Sequence, residues 1–80
     1  MSNQTKPAPP KIVIAPEGCC KYLTAGKEYE VNVIEDYDKK IGYGFSLIDD
    51  DGDFLFAVER FSSHLNGGNW IIKEREVSHD

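Results

Sequence analysis

The chain has 80 residues, a formal net charge of −5, 40% hydrophobic and 11% aromatic residues. That length holds one small domain and no second, and this share of aromatic and charged residues is too rich for a wholly disordered chain. No apolar run approaches the ~20 residues of a membrane helix, the first residues lack the apolar stretch of a secretory signal, and a net negative domain grips a phosphate backbone poorly.

Residues 1–10 carry three of the four prolines, which fix φ and remove amide donors, so an extended, disordered arm is expected there. Lys11-Ile12-Val13-Ile14-Ala15, stopped by Pro16, reads as the first strand. Ala25-Gly26-Lys27 marks the turn into a second, Glu28–Val33, in which Tyr29, Val31 and Val33 share one face and Glu28, Glu30 and Asn32 the other. A polar loop then leads to a third strand, with Tyr43, Phe45 and Leu47 on one face and Gly44 and Ser46 opposite. Asp49-Asp50-Asp51-Gly52-Asp53 follows, and its Asp-Gly pair predicts a type I′ hairpin turn. The fourth strand carries Phe54, Phe56 and Val58 on its expected core face. Glu59–Asn69 is too short for a full helix and predicts a single helical turn ended by Asn66-Gly67-Gly68. Trp70-Ile71-Ile72 forms the last strand, and residues 77–80 should fray. The sum is all-β: a small five-stranded SH3-like barrel over residues 11–76, with one short 3-10 or helical turn before the last strand. An OB-type barrel fits less well, since no helical segment lies between strands three and four.

Residues 28–53 hold nine carboxylates against Lys39 and Lys40, a local charge of −7. The calcium-loop template fails on Asp49: its sixth position is Phe54 where Gly is required, and its twelfth is Arg60 where Glu is required. Adjacent Cys19 and Cys20 would form a strained disulfide and cannot alone build a four-ligand zinc site; a reduced pair, one thiol inward and one outward, is expected in a reducing cytosol. Ser62-Ser63-His64 are neighbours in sequence, which does not supply a nucleophile–base geometry, and His64 is expected to hydrogen-bond within its own turn. No catalytic, cofactor-binding or metal-binding residue is therefore nominated, and an enzyme is not expected. Most of Tyr29, Phe45, Phe54, Phe56 and Trp70 are expected to fill the core, Trp70 among them. Tyr37, between Asp36 and Asp38, is the aromatic expected to be exposed. The expected interaction surface is Tyr37 with Glu28, Glu30, Asp49, Asp50, Asp51 and Asp53. A groove for proline-rich peptides is not supported, because the first loop offers only Tyr22 and lacks a tryptophan pair.

Tyr22-Leu23-Thr24-Ala25-Gly26-Lys27-Glu28-Tyr29-Glu30-Val31, the acidic hairpin at 49–53 and His64-Leu65-Asn66-Gly67-Gly68-Asn69-Trp70 follow in an order that resembles small, cytosolic phage- and prophage-encoded proteins of uncharacterised function. The resemblance covers roughly residues 19–74, implies an SH3-like barrel and a phage setting, and brings no active-site residues with it. The function expected is a non-enzymatic protein-interaction module in the cytoplasm of a bacterial host, with a host or phage protein as partner. The alternative is an acidic mimic of nucleic acid that inhibits a host DNA- or RNA-binding enzyme. Direct nucleic-acid binding ranks behind both, for want of a basic stripe. A monomer is expected, or a weak homodimer pairing a free strand edge at Ile12–Ala15 or Trp70–Ile72.

Overall fold

A computed structural model describes residues 7–76; the tail at 77–80 and the first six residues of the arm lie outside the described residues. The elements in chain order are β1 (Pro10–Ile14), β2 (Glu28–Glu30), β3 (Asn32–Asp38), β4 (Gly42–Ile48), β5 (Phe54–Val58), a 3-10 helix (Ser63–Leu65) and β6 (Ile71–Arg75). They form two three-stranded antiparallel sheets, in the orders β2-β1-β6 and β3-β4-β5. The all-β reading therefore stands, but two details are corrected.

There are six strands among the described residues rather than five, because the expected second strand breaks at Val31. Glu30 pairs with Ile12 of β1, and the Val31 amide donates to the Lys11 carbonyl at 3.0 Å, whereas Asn32 already pairs with Ser46 of β4. The chain thus crosses from one sheet to the other over a single buried residue. The barrel is also not closed. β5 and β6 share no ladder; they are linked at their junction by the Trp70 amide donating to the Glu59 carbonyl at 2.9 Å.

The core lies between the sheets and is built from Val13, Tyr29, Phe45, Leu47, Leu55 and Trp70 with their smaller neighbours. Trp70 is buried, as expected. Its ring meets Phe45 and Tyr29 edge-on at 5.9 and 6.4 Å, and its indole N–H donates to Ser62 Oγ at 3.3 Å.

The face of β5 is the opposite of the one expected. Phe54 and Phe56 are 80% and 69% exposed, while Leu55 and Ala57 are buried. The cause is the hairpin. A two-residue Asp51-Gly52 turn would set Leu47 opposite Phe56 and Phe45 opposite Val58. The observed register sets Leu47 opposite Leu55 and Phe45 opposite Ala57. The Gly52 amide donates to the Asp49 carbonyl at 3.0 Å, the Asp49 amide to the Asp53 carbonyl at 2.9 Å, and only Gly52 of the loop has positive φ, at 85°. This is a three-residue loop ending in a left-handed glycine, not type I′, in which both central residues have positive φ. One extra loop residue shifts the register by one and turns every β5 side chain to the other face. Val33, expected beside Tyr29 and Val31, is likewise 37% exposed, just before a register shift in the β3–β4 pairing.

β1 begins one residue earlier than expected, at Pro10, and the described end of the arm is fastened. The Tyr43 hydroxyl donates to the Pro7 carbonyl, the Arg75 guanidinium to the Ala8 carbonyl, and the Glu76 amide to the Pro9 carbonyl at 2.8 Å. Proline lacks a donor but keeps its acceptor, and these bonds use only acceptors. Beside them Arg75 also donates to the buried Glu59 carboxylate at 3.3 Å.

Candidate interaction surface

The acidic residues divide by role. Asp50 is a latch between the β4–β5 hairpin and the chain leading into β2. Its carboxylate accepts from Thr24 Oγ1 at 2.6 Å, Lys27 Nζ at 2.7 Å and the Tyr29 hydroxyl at 2.9 Å. Those three donors, with Lys27 first, pull the Asp50 pKa from an ordinary 3.8 down to about 2. The same pairing raises Lys27, while burial pushes the Tyr29 phenol up. The Thr-x-Gly-Lys-x-Tyr stretch and the acidic hairpin are therefore one structural unit. Asp49 Oδ1 accepts the amides of Asp51 and Asp53 at 2.9 and 3.0 Å, so it shapes the turn, and Asp51 and Asp53 are exposed beside it.

Glu28 pairs with Lys73 at 2.7 Å, a contact that raises the lysine pKa, and Glu30 is exposed on the same strand. Glu28, Glu30 and Asp49 do meet, lining one shallow depression of about 450 Å³ together with Lys27, Ile48 and Phe54. Its acidity is answered in part by Lys27 and Lys73. Tyr37 lies apart from this depression. It is half-buried, packs on Tyr43 at 5.3 Å, and its hydroxyl accepts from the Arg60 guanidinium at 3.1 Å, the hydrogen bond that keeps Arg60 firmly protonated.

The inverted β5 creates a second surface that the sequence reasoning missed. Ile34 is 46% exposed, and with Phe56, Val58 and the bare backbone of Gly44 it lines a groove of about 530 Å³ over the outer side of β3-β4-β5. Glu35, Asp36 and Asp38 stand along it, and Ser63 and His64 line it too. Gly44 is required here, since a Cβ at that position would lie 2.7 Å from Glu35 Cβ. The signal that could have found this surface is the count of residues in the acidic turn, which decides whether Phe56 or Leu55 faces out.

His64 does not bond within its own turn. Its Nε2 lies 2.8 Å from the Phe56 carbonyl, which can only accept, so Nε2 carries the hydrogen and Nδ1 accepts from the Tyr22 hydroxyl at 3.0 Å. Both ring nitrogens are thus occupied, and the imidazole caps a backbone carbonyl of β5. Cys19 and Cys20 are free thiols, and both are half-buried against the core instead of one facing out. Among the described residues no group of three or more His, Cys, Asp or Glu is arranged to hold a metal ion, and no helix is long and apolar enough to cross a membrane. Compared with known proteins, the chain matches no family model, no curated protein and no solved structure.

Proposed function

We propose that this chain is a non-enzymatic protein-interaction module, a phage or prophage accessory protein acting in the cytoplasm of a bacterial host, on an open SH3-like arrangement of strands. The observation that carries this reading is the outer face of β3-β4-β5. Phe54, Phe56, Ile34 and Ile48 are left exposed on a paired, rigid sheet whose inner face is filled. Exposed aromatic and aliphatic side chains gathered on one face support an interface more than a solvated surface. The phage setting rests on the motif order around Thr24–Val31 and His64–Trp70. The non-enzymatic reading is supported by His64, which lines the groove with both ring nitrogens engaged.

The nucleic-acid mimic is the weaker reading. Of the acidic surface it needs, Asp50 is held by Lys27 and Glu28 by Lys73, and the apolar Ile48 and Phe54 sit among the rest. The test is capture from a bacterial lysate with the wild-type chain, F56K and E30K side by side. One stoichiometric protein retained by wild type and E30K and lost by F56K supports the module. Loss with E30K while F56K still binds would favour the mimic.

A further inference from the structure

The chemistry of the groove specifies its occupant further, on the reading that the β3-β4-β5 face is an interface. We propose that the groove receives an extended, basic segment of a partner protein, with an aliphatic or aromatic side chain against Phe56 and Ile34 and a lysine or arginine beside Glu35.

Charge complementarity is the first argument. Glu35 and Asp38 are among the residues that line the groove, and no lysine or arginine among the described residues does. The ion pairs among the described residues are Lys27–Asp50, Lys73–Glu28 and Arg75–Glu59, so Glu35 enters none of them. Asp38 spends Oδ1 on the amides of Lys40 and Ile41, at 2.7 and 3.2 Å, which fixes its carboxylate at the groove's end. Glu35 is placed as firmly, because its Cβ and Cγ lie across the glycine of β4 with no side chain between. A partner that covered Phe56 and Ile34 would strip water from Glu35, a loss that a cation on the partner compensates best.

Shape is the second argument. The groove runs beside β3, the outer strand of its sheet, which pairs with no further strand among the described residues and so offers a backbone template to an extended chain. The opposite outer strand is less open, since the Phe56 carbonyl is already taken by His64. A second copy of this chain would bring acidic rim against acidic rim at a net charge of −5 on each molecule, and a nucleic acid would meet the same repulsion.

The full chain, labelled with ¹⁵N, is titrated with a capped peptide Lys-Phe-Arg-Leu-Lys, with its acidic counterpart Glu-Phe-Glu-Leu-Glu, and with a single-stranded oligonucleotide. The basic peptide should shift the amides of Glu35, Gly44 and Val58 saturably, and the acidic peptide and oligonucleotide should not. E35K should weaken the basic peptide at least about ten-fold and E35Q by less, while E30K changes it by no more than about two-fold. Equal binding of both peptides, shifts centred on Glu28, Glu30 and Asp49, or dilution-dependent shifts without peptide would each overturn the proposal. If the basic peptide fails to bind while F56K-sensitive capture of a protein persists, the interface stands and its basic specificity falls. If F56K-sensitive capture is also absent, the interface itself falls.

Discussion

The Tyr29 hydroxyl donates to the Asp50 carboxylate at 2.9 Å, and this bond joins the strand that starts the first sheet to the hairpin that ends the second. Thr24 and Lys27 converge on the same carboxylate. In the folded chain Asp50 keeps its charge down to about pH 2, whereas an ordinary aspartate loses it near 3.8. A lowered pKa stabilises the fold above the unfolded value, and that contribution is lost as pH falls toward the folded value. D50N should therefore melt below wild type at pH 7, and the two melting curves should converge between about pH 4 and 2. Thermal denaturation followed by circular dichroism across that window checks it; a constant gap would show that Asp50 is not the latch.

The inner face of β4 and the outer face of β5 make opposite mutational predictions. Phe45 is fully buried and Phe54 is 80% exposed. F45A should lower stability by about 3–5 kcal/mol, or prevent folding, while F54A stays within about 1 kcal/mol of wild type. Urea denaturation of the pair decides the register, because an inward Phe54 would make the second change as severe as the first.

Gly42 has φ of 83°, and a Cβ there would lie 2.6 Å from Glu59 Cβ. G42A combines left-handed backbone strain with overpacking against a buried strand end, an expected loss of about 2–4 kcal/mol. Urea unfolding of G42A against wild type measures the loss.

Arg75 is the cation beside buried Glu59, and it also donates to the Ala8 carbonyl. R75M leaves the carboxylate without its cation and removes one of the three bonds that fasten the chain before β1. Because Arg75 is partly exposed, a loss of about 1–3 kcal/mol is expected. R75M/E59Q should recover part of it, as measured by the shift in the urea midpoint.

The strands were legible in the sequence because Tyr29–Val31 and Phe45–Leu47 alternate against polar or small neighbours. The face of β5 was not. Phe54, Phe56 and Val58 alternate with Leu55 and Ala57, so both sides of the strand are apolar and periodicity has nothing to choose between. The choice fell to the turn, where Asp51-Gly52 serves a two-residue and a three-residue loop equally well until the αL residue is placed. The groove depends on that choice and was hidden with it. The roles of Asp50 and His64 were illegible for another reason. Their partners, Thr24 and Tyr29 for one and Tyr22 for the other, stand tens of residues away, and only the fold brings them together.

β4 is the middle strand of its sheet, and every residue from Gly42 to Leu47 is buried, including those that look toward the groove. Each of these amides donates to one neighbour only, β3 or β5, and is released only when that outer strand is pulled from the buried middle of the sheet. In deuterated buffer the hydrogens of Phe45, Ser46 and Leu47 should be the last to exchange, at a rate set by opening of the whole domain. The floor of the groove would then be the most persistent part of the molecule, so that whatever docks there meets a surface that does not breathe.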